Sequence, residues 1–515
     1  MQEIVHADQR RSTYREFHAR VHRLAAGLSS LGVKPGDTVG VMDWDSHRYL
    51  ECFFAVPMMG AVLHTINVRL PPDQLLHVMN HAKDDLVLVN SEFVPLIEQI
   101  QHRLDAGKRF VLMDERGGAP AASLPIAAEY EGMLANASEH FDFPDLDEQT
   151  RATTFHTAGP TGDLRGVYFS HRQLVLHTLT LRGVLAGAGQ LDDDDVYMPA
   201  TPMFHAHAWG LPYVATLAGV KQVYPGRYVT ERLVESVRRE RVSLSQCTPT
   251  ILQALLDQAV SKDVDLSGWT VIVGGAALAQ SLARQALDAG VDIMAAYGMA
   301  ETGPMLTLAP AGTRLRDRSR SEQLRARCSA GRPLPMVEIR IIDAAANELP
   351  RDGVSAGEIV VRAPWLTRGY LSDEAGSAKL WEGGWLHTGD IGVIDGDGIL
   401  HVTGRIRDVI QAGGEWISSL QVEYILLQHP TVAEAAVIGL PDPKWMERVF
   451  AVLVLKKGHA ADEGDVRRHL GVFAAAGAIS RFGVPDRVVF VDALPRTSVG
   501  KVDKSLLRAR FATQS

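Results

Sequence analysis

The run Thr157-Ala158-Gly159-Pro160-Thr161-Gly162-Asp163-Leu164-Arg165-Gly166 has the residue types to hold phosphate. Glycines let backbone N–H groups turn toward an anion, threonine hydroxyls can meet phosphate oxygens, and Arg165 adds a cation. The spacing is not that of the commoner phosphate loop, which ends Gly-Lys-Ser/Thr after four intervening residues. Alone, the run reads equally well as a glycine-rich connecting turn. Three further segments follow it in order. Tyr297-Gly298-Met299-Ala300-Glu301-Thr302 sets a carboxylate behind an aromatic-glycine pair. Trp385-Leu386-His387-Thr388-Gly389-Asp390 carries a second carboxylate, followed by Gly404-Arg405. Pro495-Arg496-Thr497-Ser498-Val499-Gly500-Lys501 brings a lysine near the C-terminus. Singly, Glu301 would be a surface acid, Thr388-Gly389-Asp390 a turn, and Lys501, with Lys504 close by, a solvated lysine. The ordered set gives them a chemical reading.

The elements that must position these residues alternate between strand and helix over the first 400 or so residues. Thr38 to Met42, Leu86 to Val89 and Phe110 to Met113 read as strands, and Tyr14 to Leu28 has apolar residues at helical spacing. Val196 to Pro199, Val220 to Tyr224, Val242 to Gln246 and Val271 to Val273 continue the strands, with helices at Glu231 to Arg239 and Ile251 to Gln258. The phosphate-type loop is expected between an apolar run, Ala152 to Phe155, and a helix beginning near His171. This alternation predicts an α/β fold with parallel-type sheets in a large multi-subdomain N-terminal domain. From Ile339 onward the strands are short and close: Glu338 to Ile342, Gly357 to Arg362, Gly392 to Ile394 and Ile399 to Thr403, with Asp395-Gly396-Asp397-Gly398 as a hairpin turn. After Arg407 a compact segment has its own pattern. Ala433 to Gly439 and Val449 to Leu455 read as strands, Gln421 to Gln428 and Glu463 to Leu470 as helices. The expected division is 1–406 and 407–515, the second part a small, mobile α+β domain. Asp192 to Asp195 reads as a solvated loop face.

Composition narrows the function. A chain of 515 residues is too long for one core. A formal net charge of −9 gives no electrostatic case for nucleic acid. Cys52, Cys247 and Cys328 are far apart, which argues against a disulfide framework and fits a reducing cytoplasm. The start lacks the basic and apolar regions of a signal peptide, and no apolar run reaches the roughly 20 residues of a membrane span.

Order, spacing and length of the four segments resemble the adenylate-forming superfamily of acyl-CoA synthetases, luciferases and peptide-synthetase adenylation domains. The resemblance covers nearly the whole chain. It implies that ATP and a carboxylic acid give an acyl-adenylate and pyrophosphate, and that coenzyme A then takes the acyl group and releases AMP. A carboxylate is a poor acyl donor, and the mixed anhydride supplies the good leaving group that it lacks. The resemblance also implies roles. Thr157, Gly159, Thr161, Gly162 and Arg165 would meet the phosphates, and Glu301 would hold Mg²⁺, which prefers hard oxygen ligands. Asp390 would accept the ribose hydroxyls with help from Arg405. Tyr297, Gly298 and Met299 would lie at the adenine, and Gly275 and Ala276 between adenine and acyl pocket. Lys501 would bridge carboxylate and α-phosphate, a task suited to a compact ammonium on a flexible stem. Gly413, Gly414 and Trp416 would line the pantetheine tunnel, and Arg407 would be the hinge of a rotation between the two steps.

Within Thr201 to Gly210, His205 matches the family's gate beside the acyl pocket, and His207 reads equally as a buried structural histidine. No acidic residue there could hold an amino group. An apolar acid is therefore expected: medium- or long-chain fatty, alicyclic or aryl. The loop departs from the family pattern Thr-Ser-Gly-Thr-Thr-Gly-x-Pro-Lys-Gly at Ala158, Pro160, Leu164 and Arg165, and Ala300 replaces a threonine. Two or three lost hydroxyl contacts to charged groups, at about 1.5–3 kcal/mol each, could slow adenylation on the order of a thousandfold. Two other classes stay open: a weakly active or inactive nucleotide or acyl-CoA binding protein, and an adenylate-only enzyme with another acceptor. A homodimer is compatible with either.

Overall fold

The computed structural model describes residues 2–7, 9–114, 123–158, 164–310, 315, 317–413, 415–497 and 502–512. Gly159, Pro160, Thr161, Gly162, Gly414 and Lys501 lie outside the described residues.

Thr38–Met42 and Leu86–Asn90 are apolar on both faces and buried along their whole length. Strands of that kind belong in the middle of a sheet covered by helices on both sides. They are the centre of a seven-stranded sheet in the order Ile126–Glu129, Arg109–Met113, Leu86–Asn90, Thr38–Met42, Val62–Thr65, Arg151–Ala158, Leu164–Ser170. Every neighbouring pair is parallel except the last. The helix Tyr14–Ser30 starts at a capping box. The Thr13 hydroxyl accepts from the Glu16 N–H, and the Glu16 carboxylate accepts from the Thr13 N–H.

A second sheet of nine strands has a parallel centre. Glu3–His6, Lys221–Tyr224, Val196–Tyr197, Leu244–Cys247, Thr270–Val273 and Asp292–Tyr297 lie side by side. Short antiparallel strands close its edges. A third, antiparallel sheet runs Glu338–Ile342, Gly357–Arg362, Leu386–Ile394, Leu400–Arg405. The Gly398 N–H donates to the Asp395 carbonyl at 2.9 Å, closing the expected hairpin turn. After the short turn Ile406–Asp408, Val409–Ala412, Glu415–Ser418, Val432–Asp442, Met446–Leu455 and Arg487–Phe490 form a fourth sheet with its own apolar clusters.

The α/β architecture and the smaller C-terminal layer agree with the sequence expectation. The apolar run lies in the strand Arg151–Ala158 and the helix begins at His171, both as expected. One local expectation is refined: the end of the phosphate-type run is not loop, because the strand Leu164–Ser170 begins within it and leads to the helix His171–Ala186. The described ends of the run pair as antiparallel neighbours, with Thr157 opposite Arg165. The sequence Leu-Arg-Gly-Val-Tyr-Phe-Ser alternates too weakly to be seen as a strand, and pairing with Arg151–Ala158 decides it. Among the described residues no helix is long and apolar enough to cross a membrane.

Candidate active site

The edges of the first three sheets surround one cleft of about 890 Å³. Its nucleotide-type end is built by strand register. Asp390 and Arg405 stand directly opposite each other on antiparallel neighbours. Tyr297 ends the strand Asp292–Tyr297, and its hydroxyl donates to Asp390 Oδ2 at 2.9 Å. Arg405 Nε lies 2.9 Å from the other oxygen. Burial, then the Asp390 charge, hold the Tyr297 hydroxyl well above its ordinary pKa, so it remains a donor. Each carboxylate oxygen keeps a further lone pair to accept from a ligand hydroxyl. Gly298 follows because nothing else fits: a Cβ there would lie 1.6 Å from the Pro304 carbonyl oxygen.

Glu301 sits in the one-turn 3₁₀ helix Ala300–Thr302, buried. The Tyr370 hydroxyl donates to Glu301 Oε1 at 2.9 Å, and the Thr367 N–H donates to the Glu301 main-chain carbonyl at 2.9 Å. The Arg165 guanidinium lies 4.8 Å from the centre of the Tyr370 ring, and its Nε is 3.9 Å from Asp373 Oδ2. Arg165, Tyr370 and Glu301 thus form one contiguous row along the wall beneath the hairpin.

The far end of the cleft is shaped by unusual backbone. Ala206, His207, Ala208 and Trp209 all have positive φ, at 47, 54, 47 and 62°, and Gly210 follows at 78°. Left-handed backbone costs an L-residue roughly 1–2 kcal/mol, so the surroundings must hold it. Gln246 Nε2 donates to the Ala208 carbonyl at 3.0 Å. The Trp209 indole lies 3.2 Å from where a Cβ on Gly274 would stand, so glycine at 274 admits the ring. His205 and Trp209 line the cleft. His207 does not: it is buried among the rings of Phe53, Phe155, Phe169 and Tyr213. Burial, then His177, push its pKa down to about 3, and it packs as a neutral ring.

Of the residues singled out from sequence, Thr157, Arg165, His205, Gly275, Tyr297, Gly298, Met299, Glu301, Asp390, Arg405 and Arg407 all line this cleft. Ala276 is exposed beside Gly275 and is not part of the lining. Gly413 and Trp416 are not brought here either. Gly413 packs against Phe482, and Trp416 is 71% exposed on the C-terminal sheet. Sequence reasoning missed Tyr370 and the closure of Trp209 onto Gly274. The pair Gly369-Tyr370 is the only local sign of the first, and nothing local marks the second.

A family described as AMP-binding enzyme matches residues 2–371, and the AMP-binding enzyme C-terminal domain matches 421–501. The chain is 38% identical over 504 residues to a long-chain-fatty-acid–CoA ligase of Thermus thermophilus, covering 97% of this chain and 90% of that one. It is 39% identical over 496 residues to a 3-methylmercaptopropionyl-CoA ligase of Ruegeria pomeroyi, covering 95% and 90%. The ATP-bound crystal structure of MatB from Rhodopseudomonas palustris superposes with a TM-score of 0.85 at 27% identity, covering 99% of this chain and 96% of that one. The ordered motifs, the convergent cleft and matches along nearly the full length lead to one conclusion: the chain belongs to the AMP-binding enzymes, the adenylate-forming family of acyl-CoA ligases.

Proposed function

We propose that this cleft activates an apolar carboxylic acid with ATP and passes the acyl group to coenzyme A. The observation that carries the reading is the Tyr297–Asp390–Arg405 cradle opening onto uncharged walls at Ala206, Trp209, Gly274 and Met305. The cradle suits the ribose, with Tyr297 and Met299 beside the adenine, while the walls suit an acyl chain and offer no partner to an amino group. The acid remains a class: fatty, alicyclic or aryl.

Glu301 fits Mg²⁺. It is a buried hard-oxygen donor oriented by Tyr370, and Mg²⁺ commonly takes one or two carboxylates with substrate phosphates and waters. Bound there, the ion would neutralise triphosphate charge. Thr157 and Arg165 would hold the phosphates from the hairpin, with Arg165 leaving Asp373 to do so. Lys501 would bridge the carboxylate and α-phosphate. Arg496 supports this reading: its guanidinium donates to Thr250 Oγ1 at 3.2 Å, tethering the segment that leads to Lys501 against the large domain. The domains divide at Arg407, within the turn Ile406–Asp408, and rotation there would bring Gly413 to Ser419 to the cleft for the thiol step. The three free cysteines suit a reducing cytoplasm, and we take a homodimer as the assembly to test by light scattering.

Pyrophosphate release, measured with and without coenzyme A over a panel of carboxylic acids, tests the reading. Acid-dependent release followed by thioester formation is expected. Release without thioester would point to another acceptor, and no release with any acid would leave a binding protein. Lys501→Ala should lose on the order of a hundredfold or more in adenylate formation, the loss of a charge-stabilising group, and retain transfer from supplied acyl-adenylate. Equal loss in both steps would remove Lys501 from this role.

A further inference from the structure

A chain of titratable groups runs beneath the phosphate hairpin. Asp84 Oδ1 is 2.8 Å from His64 Nδ1, His64 Nε2 is 3.1 Å from His156 Nδ1, and His156 Nε2 is 2.9 Å from His81 Nδ1. Asp84 and His64 are fully buried, and Asp84 Oδ2 has no hydrogen-bond partner among the described residues. The rings pass hydrogen bonds to one another and do not converge on a point: no group of three or more ligating side chains among the described residues is arranged for a metal.

The protons in this chain can be counted. An ionised Asp84 only accepts, so His64 donates from Nδ1 and accepts at Nε2. His156 must then donate from Nδ1, and His81 likewise. Three neutral imidazoles satisfy the three contacts, each with one tautomer. His81 also interacts with the Leu371 backbone, a contact that favours its protonated form. With Nδ1 committed to His156, the contact with the Leu371 backbone that favours the protonated ring falls to Nε2, and a donor there requires one further proton. That proton also balances a buried carboxylate with an unpartnered oxygen.

The chain is joined to the cleft at both sides of the hairpin. His156 immediately precedes Thr157 and pairs across the strands with Gly166. The Leu371 N–H donates to the Gly166 carbonyl at 2.7 Å, and Leu371 follows Tyr370, the donor to Glu301. A Cβ at Gly166 would be 2.9 Å from Leu371 Cβ and 3.3 Å from His156 Nε2, so the three segments are in close contact. We propose that His156 and His81 are positioning residues for the triphosphate: one proton taken up by the Asp84–His64–His156–His81 chain locks the hairpin to the Tyr370 loop, and nucleotide binding is thereby coupled to proton uptake. This rests on the reading of the hairpin as the phosphate site.

The surrounding charges give the direction. Burial, then His64, His81 and His77, hold His156 well below its ordinary pKa, so of these two rings His81, with a backbone partner at Leu371, is the better seat for the extra proton. Burial and then His77, stacked on it with ring centres 5.5 Å apart, also lower His81, while the Leu371 backbone and Asp373 raise it. At the other end, the Lys108 ammonium donates to the Asp84 carbonyl at 3.0 Å and to that of Met79 at 3.3 Å. Arg165 stands 3.9 Å from Asp373 and offsets its charge. A bound triphosphate that draws Arg165 away leaves Asp373 free to favour protonated His81, and so raises the proton affinity of the chain.

The test is calorimetry of ATP binding, with Mg²⁺, in buffers of different protonation enthalpy, for the wild type and His81→Gln. The glutamine carboxamide can donate to Leu371 at every pH but takes up no proton. The wild type should take up a larger fraction of a proton than the variant, and its ATP affinity should fall about tenfold between about pH 6 and about pH 8, where an imidazole changes charge. The variant should lose that slope, and His81→Ala should bind about tenfold more weakly at every pH, as for a hydrogen bond to a charged partner. Equal proton uptake and equal slopes in wild type and His81→Gln overturn the proposal. Should the variants fail to fold, the imidazole ¹⁵N resonances of His81 and His156 in the wild type decide: a shift on ATP addition supports the coupling, and unchanged resonances refute it. A wild type that binds no ATP overturns the phosphate-site reading and the coupling with it, whereas ATP binding without proton linkage overturns the coupling alone.

Discussion

At the proposed nucleotide end of the cleft, Asp390 meets Tyr297 and Arg405 through two contacts of 2.9 Å, fixed by strand register. At the proposed acyl end, Trp209 meets the bare backbone of Gly274, and its direction is set by four left-handed residues. One end offers charge and hydrogen bonding on regular sheet. The other offers shape on backbone that is costly to hold. A polar ligand that stays the same can be met by a rigid cradle, while an acyl chain is met by space, and space is governed by packing. The two ends should therefore fail differently when altered.

The largest effect is expected at the charged end. Asp390→Ala removes the acceptor from the cradle and leaves Arg405 without its partner. ATP affinity should fall about a hundredfold, roughly 2.7 kcal/mol, with KM for the acid little changed. Isothermal titration with unchanged ATP affinity would end the ribose assignment. Gly274→Val should do the reverse. Its side chain would intrude on Trp209 and the Ala296 carbonyl, raising KM for the longest acids about thirtyfold, near 2 kcal/mol of overpacking, while ATP affinity holds. If ATP affinity drops as far as acid affinity, the two ends are not separable.

Tyr370→Phe tests the wall between them. Loss of the hydroxyl that orients Glu301 should slow adenylation about tenfold, about 1.4 kcal/mol, and raise the Mg²⁺ concentration needed for half-maximal rate. An unchanged Mg²⁺ requirement would deny Tyr370 that role.

The smallest effect concerns stability under the acyl end. Asp45 accepts from the Met203 N–H at 2.8 Å and the Tyr228 hydroxyl at 2.7 Å, beneath the segment that leads to His205. Burial raises its pKa from 3.8 to about 7, against the opposing pull of those two donors. A folded-state value above the unfolded one means that the folded protein holds a proton which the unfolded chain has lost. This contribution is complete at low pH and declines as pH rises from 3.8 through about 7. Asp45→Asn should flatten the fall in melting temperature between about pH 5 and about pH 7, a change on the order of 1–2 kcal/mol. An identical slope in wild type and variant would mean that Asp45 ionises normally.

How far the site was legible depended on how its parts are encoded. Asp390 and Arg405 could be found because each lies in a short motif, and the third sheet pairs them. Glu301 could be found as a motif residue, but its orienting partner could not, because Tyr370 is 69 positions away. Ala276 is exposed and outside the lining that Gly275 joins, because adjacency in sequence does not decide which side chain faces a cleft. Gly413 and Trp416 were grouped with the site by motif, yet they stand on a separate sheet. The helix after the phosphate run is legible at His171, but the strand between them is not, because Leu164–Ser170 alternates weakly and becomes a strand only by pairing.

By itself, the sequence determined the strand-helix alternation, the central buried strands, the change of pattern near Arg407, and the order of motifs that sets the family. These are carried by residue spacing and local backbone preference, which need no distant partner. The tertiary structure decided the hairpin at Thr157 and Arg165, the left-handed turn that aims Trp209, the Tyr370–Glu301 contact, and the run of imidazoles from Asp84 to His81. Each of these depends on groups far apart in the chain being packed and desolvated together, and burial, which sets both contact and charge, is a property of the folded whole.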